Sequence, residues 1–150
     1  MKSAFPVRST LALALAFAAA PAMAGGVYSQ TWFFGDSLTD SGHFQDGLPA
    51  DIRDVAGRFT TNPGLVWSQW LAAYYGTDGT TDNQGGTNYA IGGARIDTPV
   101  ANTIPVTAQV ELYLSTHGGR ADPNALYTVW GGGNDLLAFD FAAPVGVQMV

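Results

Sequence analysis

An aromatic run over residues 29–34 stops at Gly35 and gives way to small polar residues, a pattern that predicts a first buried strand ending in a tight turn. From 37 to 62 no period persists, because Gly42, Gly47, Pro49 and Gly57 interrupt it, and a long loop is expected. Asn62 as N-cap and Pro63 at the first helical position then predict a helix start. Trp67, Trp70, Leu71 and Tyr74 follow at helical spacing up to Gly76, which places those four side chains on a core face. Residues 77–86 have the Gly, Asp, Asn and Thr content of an exposed loop, and 88–91 resume as a short strand before Gly92-Gly93. A second helix is predicted over 105–117, with Val106, Val110, Tyr113, Leu114 and His117 on one face. Residues 125–130 read as another buried strand, which runs into Gly131-Gly132-Gly133-Asn134-Asp135. Residues 136–141 read as a helical turn broken by Pro144.

Short buried strands alternating with helices imply crossover units and a mainly parallel sheet, an α/β fold. The consequence is positional. Ser37, Gly93 and Asn134 each fall just past the carboxyl end of a predicted strand, the edge where open α/β sheets bind ligands.

The first 24 residues stand outside that pattern. Lys2 and Arg8 form a basic n-region, residues 11–20 an apolar h-region, and Ala22-Met23-Ala24 a small-x-small cleavage site, so residues 1–24 read as a secretory signal peptide. The apolar stretch is too short for the roughly 20 residues of a membrane-spanning helix. Residues 25–150 form one domain, and export is the expected localisation. Removing residues 1–24 takes Lys2 and Arg8 with them and leaves four scattered Arg against twelve acidic side chains. Such a surface repels phosphate backbones, which argues against nucleic acid as a partner. Cysteine is absent, which excludes a disulfide framework, thiolate catalysis and a thiolate metal site. Two isolated His and scattered Asp show no metal-ligand spacing, and no cofactor is expected.

A serine hydroxyl needs a base to become a nucleophile, and the charge developing on an attacked carbonyl oxygen needs fixed donors. The Ser37 N–H, the Gly93 N–H and the Asn134 side-chain amide are three donors able to converge on one oxygen. Each also has a plain structural reading: Ser37 as a turn or cap residue, Gly93 as a positive-φ turn residue, Asn134 as an N-cap. Rival chemistries fail on their motifs. Gly35-Asp36-Ser37-Leu38-Thr39 lacks the second glycine of the Gly-x-Ser-x-Gly elbow, which disfavours an α/β-hydrolase. The only lysine, Lys2, lies in the signal peptide, which excludes a serine–lysine dyad, a phosphate-loop lysine and a Schiff base. Gly131-Gly132-Gly133 does not fit a dinucleotide fingerprint.

The segment from Phe34 to Gly42 resembles the first block of the GDSL family of serine esterases and lipases, the SGNH hydrolases. The segment from Asn88 to Arg95 is similar to its second block, and Gly131 to Asp135 to its third. Gly57-Arg58-Phe59-Thr60-Thr61-Asn62, followed by Val66-Trp67 and Leu71, resembles a segment of larger members. The resemblance implies a three-layer α/β/α sandwich of flavodoxin-like type. It implies Ser37 as nucleophile and oxyanion donor, with Gly93 and Asn134 completing the oxyanion hole. Its implied substrates are carboxylic esters, of a small molecule or lipid. Some exported members are autotransporter passengers, which implies possible outer-membrane association through a C-terminal β-barrel.

The last block of the family, Asp-x-x-His, has no match in this sequence. His43 and His117 are the only histidines, and neither replaces it: His43 occupies a loop position without an evident orienting partner, and His117 ends a predicted helix. The expectation is the N-terminal portion of a longer esterase whose histidine–aspartate pair comes from sequence beyond Val150. The 150-residue product alone is then expected to be poorly stable and weakly active, with Phe139, Phe141, Val147 and Met149 lacking partners. Rival readings are a non-catalytic carbohydrate- or surface-binding module and, within the enzyme class, an acyltransferase or polysaccharide deacetylase.

Overall fold

Adjacent side chains of a strand point to opposite faces, and the aromatic run uses both. A computed structural model describes residues 26–60 and 64–138, in which β1 spans Thr31–Gly35. Phe33 packs edge-on against Trp67 of helix α1 (Trp67–Tyr75), with ring centroids 5.8 Å apart. Its neighbour Phe34 packs against Tyr113 of helix α2 (Val106–Thr116), also at 5.8 Å. The two helices therefore cover opposite faces of β1, which gives the α/β/α layering expected of the sequence.

Strand β2 (Leu126–Trp130) pairs parallel with β1, Thr31 opposite Leu126 and Gly35 opposite Trp130. On the other side of β1 the backbone of 87–91 runs alongside in a parallel bonding pattern. The Phe33 N–H donates to Thr87 O, Tyr89 N–H to Phe33 O and Ile91 N–H to Gly35 O, at 3.1, 2.8 and 3.1 Å. The strand expected at 88–91 is thus an extended segment with isolated bridges rather than a regular strand. β1 is central, and all three segments point the same way.

The core lies on the α2 side, where Phe34, Tyr89, Ala94, Val106 and Tyr113 cluster with Trp32, Val110, Leu114 and Tyr127 against them. α2 begins after Pro105 and ends before His117, close to its expected span, and Val106, Val110, Tyr113 and Leu114 of the expected face lie in or against the core. His117 itself is exposed, its ring stacked on Tyr113 and its Nδ1 2.8 Å from Tyr113 O. The Tyr113 and Tyr127 hydroxyls meet at 2.7 Å and tie β2 to that helix.

Three expectations are corrected. α1 starts at Trp67, preceded by Val66, whose N–H donates to Gln69 Oε1; Asn62 and Pro63 lie outside the described residues. Its buried side chains are Ser68 and Ala72, whereas Trp70 is 64% exposed and Tyr74 50%. Close approach of α1 to the sheet favours its small side chains at the contact, and Trp70 and Tyr74 turn outward while Trp67 packs on Phe33. β2 is not a buried strand: Val129 and Trp130 are 64% and 51% exposed. The last helix, α3, begins earlier than expected, at Gly133–Leu137. Phe139, Phe141, Pro144, Val147 and Met149 lie outside the described residues, as do residues 1–24.

Candidate active site

The turn after β1 is built by one carboxylate and one carbonyl. Asp36 Oδ1 accepts from Leu38 N–H at 3.0 Å, and Asp36 O accepts from both Thr39 and Asp40 N–H at 3.0 Å. These bonds wrap the chain around Ser37 and leave it at the apex, half-buried. The Ser37 N–H and hydroxyl have no hydrogen-bond partner among the described residues.

A second carboxylate fastens this turn to the next. Asp40 is fully buried, and it accepts from Gly42 N–H and His43 N–H through Oδ1 and from Gly92 N–H through Oδ2, at 2.8, 2.6 and 2.8 Å. Burial pushes its carboxyl above the usual range, against the opposing pull of the three backbone donors and of His43. With Gly92 N–H spent on Asp40 and Ala94 N–H on Ile91 O, the Gly93 N–H is left without a partner among the described residues. Gly93 has φ +86°, a conformation side chains rarely adopt, so a glycine is required whatever room surrounds it.

The third block closes on the second. Gly132, at φ +99°, precedes α3, which puts Asn134 inside the helix rather than at its N-cap. The Asn134 Nδ2 donates one hydrogen to Ala94 O at 2.9 Å, next to Gly93. An amide nitrogen carries two, so one remains for another acceptor. Asp135 accepts from Ile96 N–H with both oxygens, at 3.2 and 3.0 Å. A Cβ on Gly133 would stand 3.8 Å from Asp36 Oδ2, so this block also borders the Ser37 turn. The three sequence-expected residues therefore come from three segments that meet at one edge of the sheet.

Sequence reasoning missed the buried polar side chains that hold this edge. Gln109 Oε1 accepts from Gly35 N–H at 2.8 Å, and its Nε2 donates to Gly35 O at 2.9 Å and Ile104 O at 3.3 Å. Its amide thus bonds both the N–H and the C=O of Gly35, as a neighbouring strand could. Asn88 Nδ2 donates to Thr39 O at 2.8 Å and Ser68 Oγ at 3.1 Å, and Ser68 Oγ donates to Thr39 O at 2.7 Å. All three side chains are fully buried. The signal was present for Gln109, which shares the α2 stripe of Val106 and Tyr113 and is its one polar member.

His43 has a carboxylate neighbour after all. Its Nδ1 lies 3.7 Å from Asp82 Oδ1, too far for a hydrogen bond but close enough for an ion pair, and Asn83 Nδ2 donates to its backbone O. The Asp82 carboxylate beside it, with help from Asp40 and against partial burial, holds its pKa above the ordinary histidine value. Among the described residues no group of His, Cys, Asp or Glu has the arrangement of a metal site.

Residues 32–148 match a protein-family model described as GDSL-like Lipase/Acylhydrolase. The chain is 34% identical to Lipase 1 of Photorhabdus luminescens over 116 residues, which covers 74% of this chain and 16% of that protein. It is 31% identical to Esterase EstA of Pseudomonas aeruginosa over 156 aligned positions, 79% of this chain and 24% of that protein. The chain thus spans about a quarter or less of the length of these curated relatives.

Proposed function

The chain belongs to the GDSL-like lipase/acylhydrolase family, and on that premise we propose that it hydrolyses carboxylic esters through an acyl-enzyme on Ser37. The names of its relatives, a lipase and an esterase, support this class of reaction. The observation that carries the reading is the set of unspent donors at one sheet edge: the N–H groups of Ser37 and Gly93 and the second amide hydrogen of Asn134. The hydroxyl of Ser37 attacks the ester carbonyl, its proton passing to a histidine–aspartate pair supplied beyond Val150. The three donors take up the negative charge on the tetrahedral oxygen. The alcohol then leaves with a proton from that histidine, and water releases the acid. Losing a single donor of this kind costs on the order of 100- to 1,000-fold in rate. The features of residues 1–24 support export of the protein.

A fluorophosphonate probe tests the reading. Covalent labelling at Ser37, located by peptide mass spectrometry and lost in Ser37→Ala, is expected from the full-length gene product. Absence of any adduct at Ser37 in that product overturns it. A second reading, a carbohydrate-binding module without chemistry, draws on Trp70 and Tyr74, exposed one turn apart on α1. It predicts no labelling, together with binding of soluble polysaccharide that Trp70→Ala abolishes. Acyl transfer and polysaccharide deacetylation use the same serine and are separated from hydrolysis by product analysis.

A further inference from the structure

We propose that Phe44 and Phe59 form an apolar wall beside the reacting carbonyl and receive the alkyl part of the acyl group. The inference rests on the reading of Ser37, Gly93 and Asn134 as an ester site, and names the part of the substrate that the wall selects. Gly92 is buried and pinned, its N–H on Asp40 Oδ2 and the preceding Ile91 N–H on Gly35 O. A Cβ on Gly92 would stand 2.7 Å from Phe59 Cε2 and 3.3 Å from Phe44 Cε2. Only a glycine lets both rings lie this close to the backbone. Gly93, with its unspent N–H, is the next residue.

Both rings nevertheless face water. Phe59 is 58% exposed and Phe44 37%, although each is seated against a fixed stretch of backbone. Core packing does not account for a ring in that position. Leu38, beside Ser37, is half exposed as well. Apolar side chains around a few convergent polar donors are the usual make-up of a small-molecule site. The Gly93 N–H that would donate to the carbonyl oxygen is one residue from Gly92, so the first carbons of the acyl chain are those placed nearest the rings.

The test compares acetate with octanoate, carboxylates that present the same oxygens and differ only in alkyl length. Titration is followed in ¹H–¹⁵N spectra through the amides of Ser37 and Gly93. Both ligands are expected to shift these amides, with octanoate at least tenfold tighter, since a fully buried methylene is worth about fourfold. In Phe59→Ala, and in the milder Phe59→Leu paired with Phe44→Leu, the advantage of octanoate over acetate is expected to fall below threefold. Equal affinities in the unaltered protein, or an undiminished advantage in both variants, overturn the wall. So does 1-octanol moving the same amides as strongly as octanoate, which assigns the surface to the alcohol instead. If neither carboxylate moves the Ser37 or Gly93 amide, the ester-site reading itself fails, a result distinct from the others.

Discussion

The two flanks of β1 are built differently. On the 87–91 side, Asp40, Asn88 and Ser68 are fully buried; Asp40 accepts from Gly42, His43 and Gly92 N–H while Asn88 and Ser68 donate to Thr39 O, and these bonds fix the turns carrying Ser37 and Gly93. On the β2 side, Val129, Trp130, Leu136 and Leu137 are all more than half exposed, and the third block is held to the second by the side chains of Asn134 and Asp135. Two of the three candidate donors thus belong to a rigid frame, and the third belongs to a segment tied on by a few half-exposed bonds. A donor pocket assembled in this way depends on the first flank for stability and on the second for alignment.

Five experiments sharpen or break that contrast. Asp40→Ala is expected to have the largest effect. It orphans three backbone N–H groups, and at about 1–3 kcal/mol for each buried donor left unpaired the variant should be largely unfolded by circular dichroism at 25 °C. A cooperative, near-normal melt would show that the buried carboxylate is not what fixes this flank.

Gln109→Leu comes next. It keeps the shape of the side chain roughly but strips Gly35 N–H of its partner, so a loss of about 1–3 kcal/mol is expected in urea unfolding. Gln109→Glu keeps an acceptor for Gly35 N–H but sets a buried carboxylate oxygen against Gly35 O and Ile104 O, so it should cost at least as much; a smaller loss would indicate that the bond from Gly35 N–H dominates.

On the looser flank, Asn134→Ala removes one half-exposed bond and should change stability by about 1 kcal/mol or less. Labelling of Ser37 should nonetheless slow markedly if the remaining hydrogen serves as a donor. Asp135→Ala should accelerate hydrogen exchange at the Ile96 amide while leaving the Gly92 amide protected. Equal acceleration at both would mean that the flanks open together.

The smallest effect concerns His43. Its folded-state pKa is raised, so its contribution is fully present below the ordinary histidine value near 6.5 and is lost as pH rises through the higher folded value. His43→Gln should remove that portion of the pH dependence, seen as a smaller difference between urea midpoints at pH 5.5 and pH 8.5. An unchanged difference would assign the dependence to other groups.

Much of the site was legible because its residues are special in kind. Serine after an aromatic strand, paired glycines and a glycine-flanked asparagine mark chain reversals, and the segments carrying Ser37, Gly93 and Asn134 do come to one edge of the sheet, Asn134 bonded to Ala94 O and Gly133 beside Asp36. The supporting frame was less legible. Ser68 and Ala72 look unremarkable beside Trp70 and Tyr74, and hydrophobicity alone placed the larger pair inward.

The local chain chemistry determined where strands stop, where α2 runs and which residues could donate hydrogen bonds at the sheet edge. These follow from side-chain period and from backbone freedom, which are properties of short segments. Only the tertiary structure decided which face of α1 is buried, that Val129 and Trp130 of β2 are exposed, that Asn134 sits within α3, and that Asp40 and Gln109 hold the frame. Those outcomes depend on how closely elements approach and which donors face a buried acceptor, distances set between residues far apart in the chain, such as Gly35 and Gln109, 74 positions apart.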